Sequence, residues 1–164
     1  MFVGIRPFDE HARRSCFEFR MGIEGESAAT AARNATRADL ARMRGAIARL
    51  EDESRHGQPG LDEDFAFHIA VAEASGNDYF VSVLNALKTT IYAGMVLART
   101  ATGLSVGRKL AAINDQHRLV YEAIADGDED TARFHMRGHL TRCKQSTQHW
   151  DATGARLEPH PPQA

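Results

Sequence analysis

Four polar residues lie at the centre or inner edge of apolar helical stripes, and their side chains are of the types that bind transition metals. Asp64 and His68 are four residues apart, and His117 and His139 follow on two later predicted helices. At about 100° per residue, each histidine falls among apolar neighbours that a helix would bury. One carboxylate and three imidazoles suit Zn²⁺ first, with Ni²⁺, Mn²⁺, Fe²⁺ and Co²⁺ as alternatives. The pattern therefore indicates a metal site built from Asp64, His68, His117 and His139.

The same four residues allow a second interpretation. A histidine on an apolar helix face is often held by hydrogen bonds inside the core, and polar pairs four residues apart are common on exposed helix faces. Three such coincidences on three predicted helices favour the metal without excluding a hydrogen-bonded core. The residue pattern alone leaves both interpretations open.

Charge complementarity extends the metal hypothesis to a ligand. A divalent ion that binds one carboxylate keeps a net positive charge, which favours an anion at any open coordination position. Arg20 lies on the apolar side of the first predicted helix and is a candidate clamp for a carboxylate, although an ion pair with Glu24 is an equal alternative. Arg99, at the end of the fourth predicted helix, is a weaker candidate that we expect to be solvated.

Two other functional classes compete with ligand sensing. An open metal position can activate water, so a metal-dependent hydrolase is the first alternative. No convincing general base accompanies the quartet, because the helical angle of Glu73 directs its side chain away from His68. A structural dimerisation bundle without metal is the second alternative. We expect no enzymatic activity and no catalytic residues.

Composition describes an ordinary globular domain. The chain has 164 residues, of which 43% are hydrophobic and 26% charged, and its net charge is −2. This composition argues against intrinsic disorder, and the lack of a basic run argues against a nucleic-acid-binding surface. Two cysteines, Cys16 and Cys143, imply no disulfide framework. No segment reaches eighteen apolar residues, so we expect a soluble, cytoplasmic domain.

Helical periodicity and capping signals organise most of the chain. Thr36 with Asp39 forms a capping-box pattern, Gly76 is suited to end the third helix, and Asn77 and Asp128 are suited to begin the fourth and sixth. No strand alternation appears. The sequence predicts an all-α, antiparallel bundle of six or seven helices. The predicted helices cover residues 9–34, 37–56, 61–75, 77–99, 110–125 and 129–149.

The chain contains, in order, Phe19-Arg20, Glu24, Ala28-Ala29, Asp64, His68, Ala74-Ser75-Gly76-Asn77, His117, Ala123-Ile124, Gly127-Asp128, Ala132, Met136 and His139-Leu140. Their joint spacing resembles the FCD effector-binding domain of FadR-type regulators in the GntR superfamily. The resemblance covers residues 11–149 and implies a helical bundle that binds a metabolite and dimerises. It also implies that Asp64, His68, His117 and His139 hold a divalent metal whose coordination sphere is completed by the carboxylate of the effector.

The resemblance also predicts how the chain is divided. In that family an N-terminal winged helix-turn-helix precedes the bundle and binds operator DNA. We expect residues 1–10 to be the remnant of a linker or wing, residues 11–149 to form the effector-binding and dimerisation domain, and residues 150–164 to be a disordered tail. The predicted function is metal-dependent sensing of a small organic acid by a homodimeric bacterial transcription regulator, with DNA binding left to the parent protein.

Overall fold

The computed structural model describes residues 10–100 and 105–147. Within these ranges seven α-helices and no strand are present, which confirms the predicted all-α bundle. The predicted tail, residues 150–164, lies outside the described residues. So does the predicted linker remnant, residues 1–10, apart from its last residue. The helices are α1 (Glu10–Asn34), α2 (Arg37–Arg55), α3 (Leu61–Ala74), α4 (Asp78–Ala86), α5 (Lys88–Thr100), α6 (Val106–Ala125) and α7 (Glu129–Ser146).

α3 is the central helix, because apolar clusters cover both of its sides. On one side lies a large cluster contributed by α1, α2, α3, α6 and α7, which includes Met43, Phe67, Val120 and Met136. On the other side Phe65 and its neighbours pack against α4 and α5. Side chains of α3 that point toward either cluster therefore lie in the interior. Asp64 and His68 belong to this helix, so their polar groups are placed inside the protein.

α1 and α7 form a long antiparallel pair along one side of the bundle. Two ion pairs fix its direction: Lys144 Nζ lies 2.9 Å from Glu18, and Arg33 lies 2.8 Å from Glu129. Such exposed pairs contribute little free energy each, but they mark the register in which the two helices face each other. This register brings the middle of α7 against the middle of α1.

Side-chain caps begin three of the helices where the sequence predicts them. Thr36 and Asp39 form the complete capping box of α2. Asn77 caps α4 and Asp128 caps α7, each through its side-chain oxygen. Gly76, which follows α3, has a φ of 71°, a value that residues other than glycine rarely adopt. These caps fix the helix starts and therefore the angular position of every inward residue.

The prediction of a single fourth helix is wrong, because this segment forms two helices. α4 and α5 meet at Leu87 and are bent by 64° relative to each other. The β-branched residues Thr89, Thr90 and Ile91 weaken helix propensity just after the bend, and the bend lets Leu87 and Ile91 both pack in the cluster beside α3. In the described part of the chain, no single helix has the length and apolar composition to cross a membrane, and α4 and α5 meet that test only when they are counted together.

The predicted fifth helix begins earlier than expected. It corresponds to α6, which begins at Val106 instead of Leu110. The reason is Ser105, whose hydroxyl oxygen accepts a hydrogen bond from the backbone N–H of Arg108 and caps the helix start.

Candidate metal centre

α3, α6 and α7 bring the four predicted ligands together. One potential ligand atom from each of Asp64, His68, His117 and His139 lies within 4.8 Å of the other three, and all four residues are at most 3% exposed. Because metal–ligand bonds are about 2.0–2.2 Å long, two ligands of one ion are separated by up to roughly 4.4 Å. The observed spacing is therefore close to that of a single mononuclear site.

Three nitrogen atoms and one oxygen atom face the same point. Oδ1 of Asp64 lies 3.4 Å from Nε2 of His68 and 3.5 Å from Nε2 of His117. Nε2 of His139 lies 3.3 Å from Nε2 of His68. Within the described residues, Oδ1 of Asp64 and both ring nitrogens of His117 have no hydrogen-bond partner. A buried polar atom without a partner costs about 1–3 kcal/mol, so these residues fit a bound cation better than an empty polar core.

Two of the histidines are oriented by partners outside the quartet. Nδ1 of His68 donates to Oε2 of Glu24, and Nδ1 of His139 donates to Oε1 of Gln116 over 2.9 Å. With the proton on Nδ1, the lone pair of each Nε2 is directed into the site. Metal-binding histidines are held by the same kind of outer hydrogen bond. The chemistry of the donor set therefore agrees with its geometry.

The pKa values of the quartet diverge. Burial lowers the pKa of His68, but Glu24 and Asp64 outweigh burial and raise that pKa to about 9. Burial lowers the pKa of His117 to about 3 and holds the pKa of His139 well below its usual range. Burial raises the pKa of Asp64, but His68 and His117 more than offset this and keep the pKa far below normal. Without metal at neutral pH, the quartet holds one carboxylate, one imidazolium and two neutral imidazoles.

Arg20 is buried and pairs with Glu24. It is 4% exposed, and its Nε donates to Oε1 of Glu24 over 2.6 Å. Of the two alternatives that the sequence leaves open for Arg20, the structure thus contains the ion pair. Arg20 also lines the cavity next to the quartet, so its role toward a ligand remains a prediction.

Arg99 is not solvated, and this expectation is wrong. It is 4% exposed, and its Nη2 donates to Oδ2 of Asp64 over 2.7 Å. The bend at Leu87 is the physical reason, since it turns the end of α5 back onto α3. In the described part of the chain, Nε and Nη1 of Arg99 have no hydrogen-bond partner.

A small cavity connects the quartet with both arginines. Its volume is about 20 Å³, and Asp64, His68, His139, Arg20 and Arg99 are among the lining residues. A single water-sized occupant needs roughly 10–15 Å³. The cavity therefore accommodates an ion or a water molecule, and an organic acid would have to displace part of the surrounding wall.

Sequence reasoning missed two residues that orient the site. The sequence places Glu24 as a partner of Arg20 and among the residues of the family resemblance, and it indicates no role for Gln116. Glu24 had a usable signal, because it shares the helical stripe of Phe17 and Ala28, which are both buried. A charged residue on a buried stripe needs a partner. Gln116 gave no such signal, since glutamine is common at half-buried positions.

Most of the chain is similar to known proteins. The family model of the FCD domain matches residues 15–142. The chain is 30% identical over 128 residues to the HTH-type transcriptional regulator LutR of Bacillus subtilis (strain 168), a match that covers 78% of this chain and 58% of LutR. It is 29% identical over 139 residues to an Escherichia coli (strain K12) protein named for the regulation of an L-lactate dehydrogenase operon, a match that covers 85% of this chain and 53% of that protein.

A solved structure has the same fold. It is described as the metal-free FCD domain of a transcriptional regulator, and it matches with a TM-score of 0.63 at 24% identity. The match covers 85% of this chain and 93% of that one. The chain spans only about half the length of the curated relatives that it matches, 58% of one and 53% of the other.

Proposed function

This chain belongs to the FCD domain family, and from that premise we propose that it senses a small organic acid with the help of a bound divalent metal. The observation that carries the proposal is the convergence of the buried residues Asp64, His68, His117 and His139, with polar atoms that lack partners in the described part of the chain. The relatives are transcription regulators, which supports a sensor and not an enzyme.

The donor set suits a divalent transition metal, with Zn²⁺ as the first candidate. Asp64 provides one negative charge, and His68, His117 and His139 provide neutral nitrogen donors. The ion, when bound, supplies positive charge and an open coordination position for a carboxylate oxygen. Because ligand nitrogens must be free of protons, His68 has to give up the proton that Glu24 and Asp64 stabilise on it. We therefore expect metal binding to release a proton near neutral pH.

The cationic partner of the effector is best supplied by Arg99. Its Nε and Nη1 are buried, lack a partner among the described residues and belong to a side chain that lines the cavity. Arg20 lines the same cavity, but its Nε is already paired with Glu24. The unused N–H groups of Arg99 can donate charge-assisted hydrogen bonds to a carboxylate. The small cavity favours a short hydroxy or keto acid, and the relative named for an L-lactate dehydrogenase operon makes lactate the first acid to test.

Calorimetric titration of lactate, malate and citrate tests this proposal. We expect binding to zinc-loaded protein and little binding to zinc-stripped protein. Arg99→Lys keeps a charge beside Asp64 but removes the guanidinium N–H groups that lack partners, so it should weaken carboxylate binding while zinc binding remains. Arg118→Lys is the matched control, because Arg118 pairs with Glu51 on the surface. Carboxylate binding that ignores the metal, or a preference for neutral ligands, would contradict the proposal.

We also propose that this domain forms a homodimer and that operator DNA is bound through a separate winged helix-turn-helix domain. One observation supports a dimer: large apolar side chains are exposed, including Phe134 at 71% and Val96 at 45%. A general rule agrees with it, because operators with two half-sites are read by two-fold symmetric regulators. Light scattering at micromolar concentration should give twice the chain mass. A monomer at that concentration would contradict the dimer without affecting the metal site.

A further inference from the structure

We propose that Glu24 is a positioning residue of the metal centre and that Arg20 holds Glu24 in place for this purpose. The inference rests on the proposed metal-binding function. It assigns to α1 an active part in a site whose ligands all come from other helices.

The two carboxylate oxygens of Glu24 have separate partners. Oε1 accepts from Nε of Arg20 over 2.6 Å, and Oε2 accepts from Nδ1 of His68. Glu24 and His68 are each 2% exposed, and Arg20 is 4% exposed. A carboxylate taken this far out of water is stable only when its oxygens are well paired. Arg20 offsets the charge of Glu24, so the glutamate can approach His68 without leaving an uncompensated negative charge in the interior.

The effect of Glu24 on His68 is chemical as well as steric. A carboxylate that accepts the Nδ1 proton fixes the tautomer and the rotation of the ring, and it makes Nε2 a stronger electron-pair donor. The other two histidines lack this help. His139 donates to the neutral amide of Gln116, and Nδ1 of His117 has no hydrogen-bond partner among the residues described. His68 is therefore the only one of the three whose outer partner in the described structure is an anion.

This arrangement separates the roles of the two buried arginines. Arg20 acts on the metal through Glu24 and His68, whereas Arg99 contacts Asp64 directly and has two nitrogens without a partner in the described structure. Changes at Arg20 should therefore appear in metal affinity. Changes at Arg99 should appear mainly in carboxylate affinity.

The test is the zinc affinity of Glu24→Gln, measured by competition with a chelating dye. Glutamine keeps the size of the side chain and can still accept from His68, but it removes the charge. We expect zinc binding to weaken about 10–100-fold, the usual cost of losing an outer partner. Glu26→Gln is the matched control, because Glu26 lies on the same helix and pairs with Arg133 at the surface. Arg20→Gln should weaken zinc binding in the same direction by a smaller factor.

Asp64→Ala separates this inference from the function on which it rests. If the wild-type protein binds zinc no better than Asp64→Ala, the proposed metal function fails. If the wild type binds zinc well and Glu24→Gln binds it equally well, only the role of Glu24 is overturned. Circular dichroism checks that each variant is folded.

Nitrogen-15 NMR of the wild-type, zinc-loaded protein decides the matter if Glu24→Gln does not fold. The inference requires that His68 binds zinc through Nε2 and retains a hydrogen-bonded proton on Nδ1. Zinc on Nδ1, with the proton on Nε2, would overturn it.

Discussion

The interior of this bundle divides into two regions of different chemistry. The apolar region surrounds Met43, Val120 and Met136, and each of these side chains is fully buried among other apolar groups. The polar centre is equally buried but consists of titratable groups, some of which have atoms without partners in the described chain. The residues of the polar centre are Arg20, Glu24, Asp64, His68, Arg99, His117 and His139.

The comparison shows which region stabilises the fold. Full burial of a large apolar side chain contributes about 1.5–3 kcal/mol, whereas a buried polar atom without a partner costs about 1–3 kcal/mol. Buried ion pairs such as Arg99 with Asp64 roughly offset their own desolvation cost. The apolar region therefore stabilises the fold, and the proposed metal and acid would account for the polar centre. Stability and metal affinity should then respond to different substitutions.

Met43→Ala should have the largest effect on stability. Met43 is 0% exposed within the apolar cluster, and truncation of such a side chain lowers the free energy of unfolding by about 2–5 kcal/mol. Urea unfolding of the metal-free protein measures this. Leu119→Ala is the control, because Leu119 is 42% exposed and its truncation should cost less than about 0.5 kcal/mol. Zinc affinity of the folded variant should stay unchanged, and a large loss of affinity would mean that the two regions are not separable.

Zinc should stabilise the wild-type protein through the polar centre. Free zinc at a hundredfold excess over its dissociation constant adds about 2.7 kcal/mol to the free energy of unfolding. His117→Ala should lose most of this gain because it removes a donor nitrogen. His56→Ala should keep the gain, since His56 is exposed at the end of α2. Equal gains in the two variants, measured by thermal unfolding with and without zinc, would exclude His117 as a ligand.

The free energy of unfolding of the metal-free protein should be highest at a pH near the usual pKa of histidine. Folding lowers the pKa values of His117, to about 3, and of His139, so the unfolded chain binds more protons below about pH 6.5 and acid favours unfolding. The contribution of His68 to stability changes with pH in the opposite direction. Its folded pKa is about 9, so its contribution is complete below about pH 6.5 and is lost as the pH rises through the folded pKa.

Urea unfolding between about pH 5 and pH 9 measures these opposing slopes, each of which is limited to about 1.4 kcal/mol per pH unit and proton. His117→Gln should flatten the acid side, and His68→Gln should flatten the alkaline side. Bound zinc should remove the alkaline decline, because His68 is already deprotonated in the complex. A metal-free stability that rises steadily up to pH 9 would contradict the protonation of His68.

Local periodicity predicted the helices and the inward positions of the quartet, and the family resemblance predicted that its four residues meet. Asp64, His68, His117 and His139 lie on helices whose starts or ends are marked by caps or glycines, so their angular positions could be counted from the residues alone. The buried position of Arg99 was not predicted, because it depends on the bend at Leu87. The apolar stripe of the segment does not show that bend.

The contact of Glu24 with His68 was not predicted, for a different reason. This contact joins residues 44 positions apart on different helices, and helical angles show which residues point inward but not which of them meet. Contacts of this kind depend on the register between helices. In this bundle that register is set by tertiary packing, as in the alignment of α1 with α7.

The smallest predicted effect concerns the helix caps, which belong to neither buried region. The hydroxyl oxygen of Thr36 accepts from the backbone of Asp39 over 3.2 Å, and the carboxylate of Asp39 accepts from the backbone N–H of Thr36 over 2.8 Å. Thr36→Ala removes half of this capping box and should cost about 1 kcal/mol. Ser105 makes only one capping bond, of 3.4 Å, so Ser105→Ala should cost a smaller part of that amount. Urea unfolding gives both values, and chelator competition should show unchanged zinc affinity in each folded variant. An altered zinc affinity in Thr36→Ala would show that the start of α2 influences the polar centre, and the separation of stability from binding would then fail.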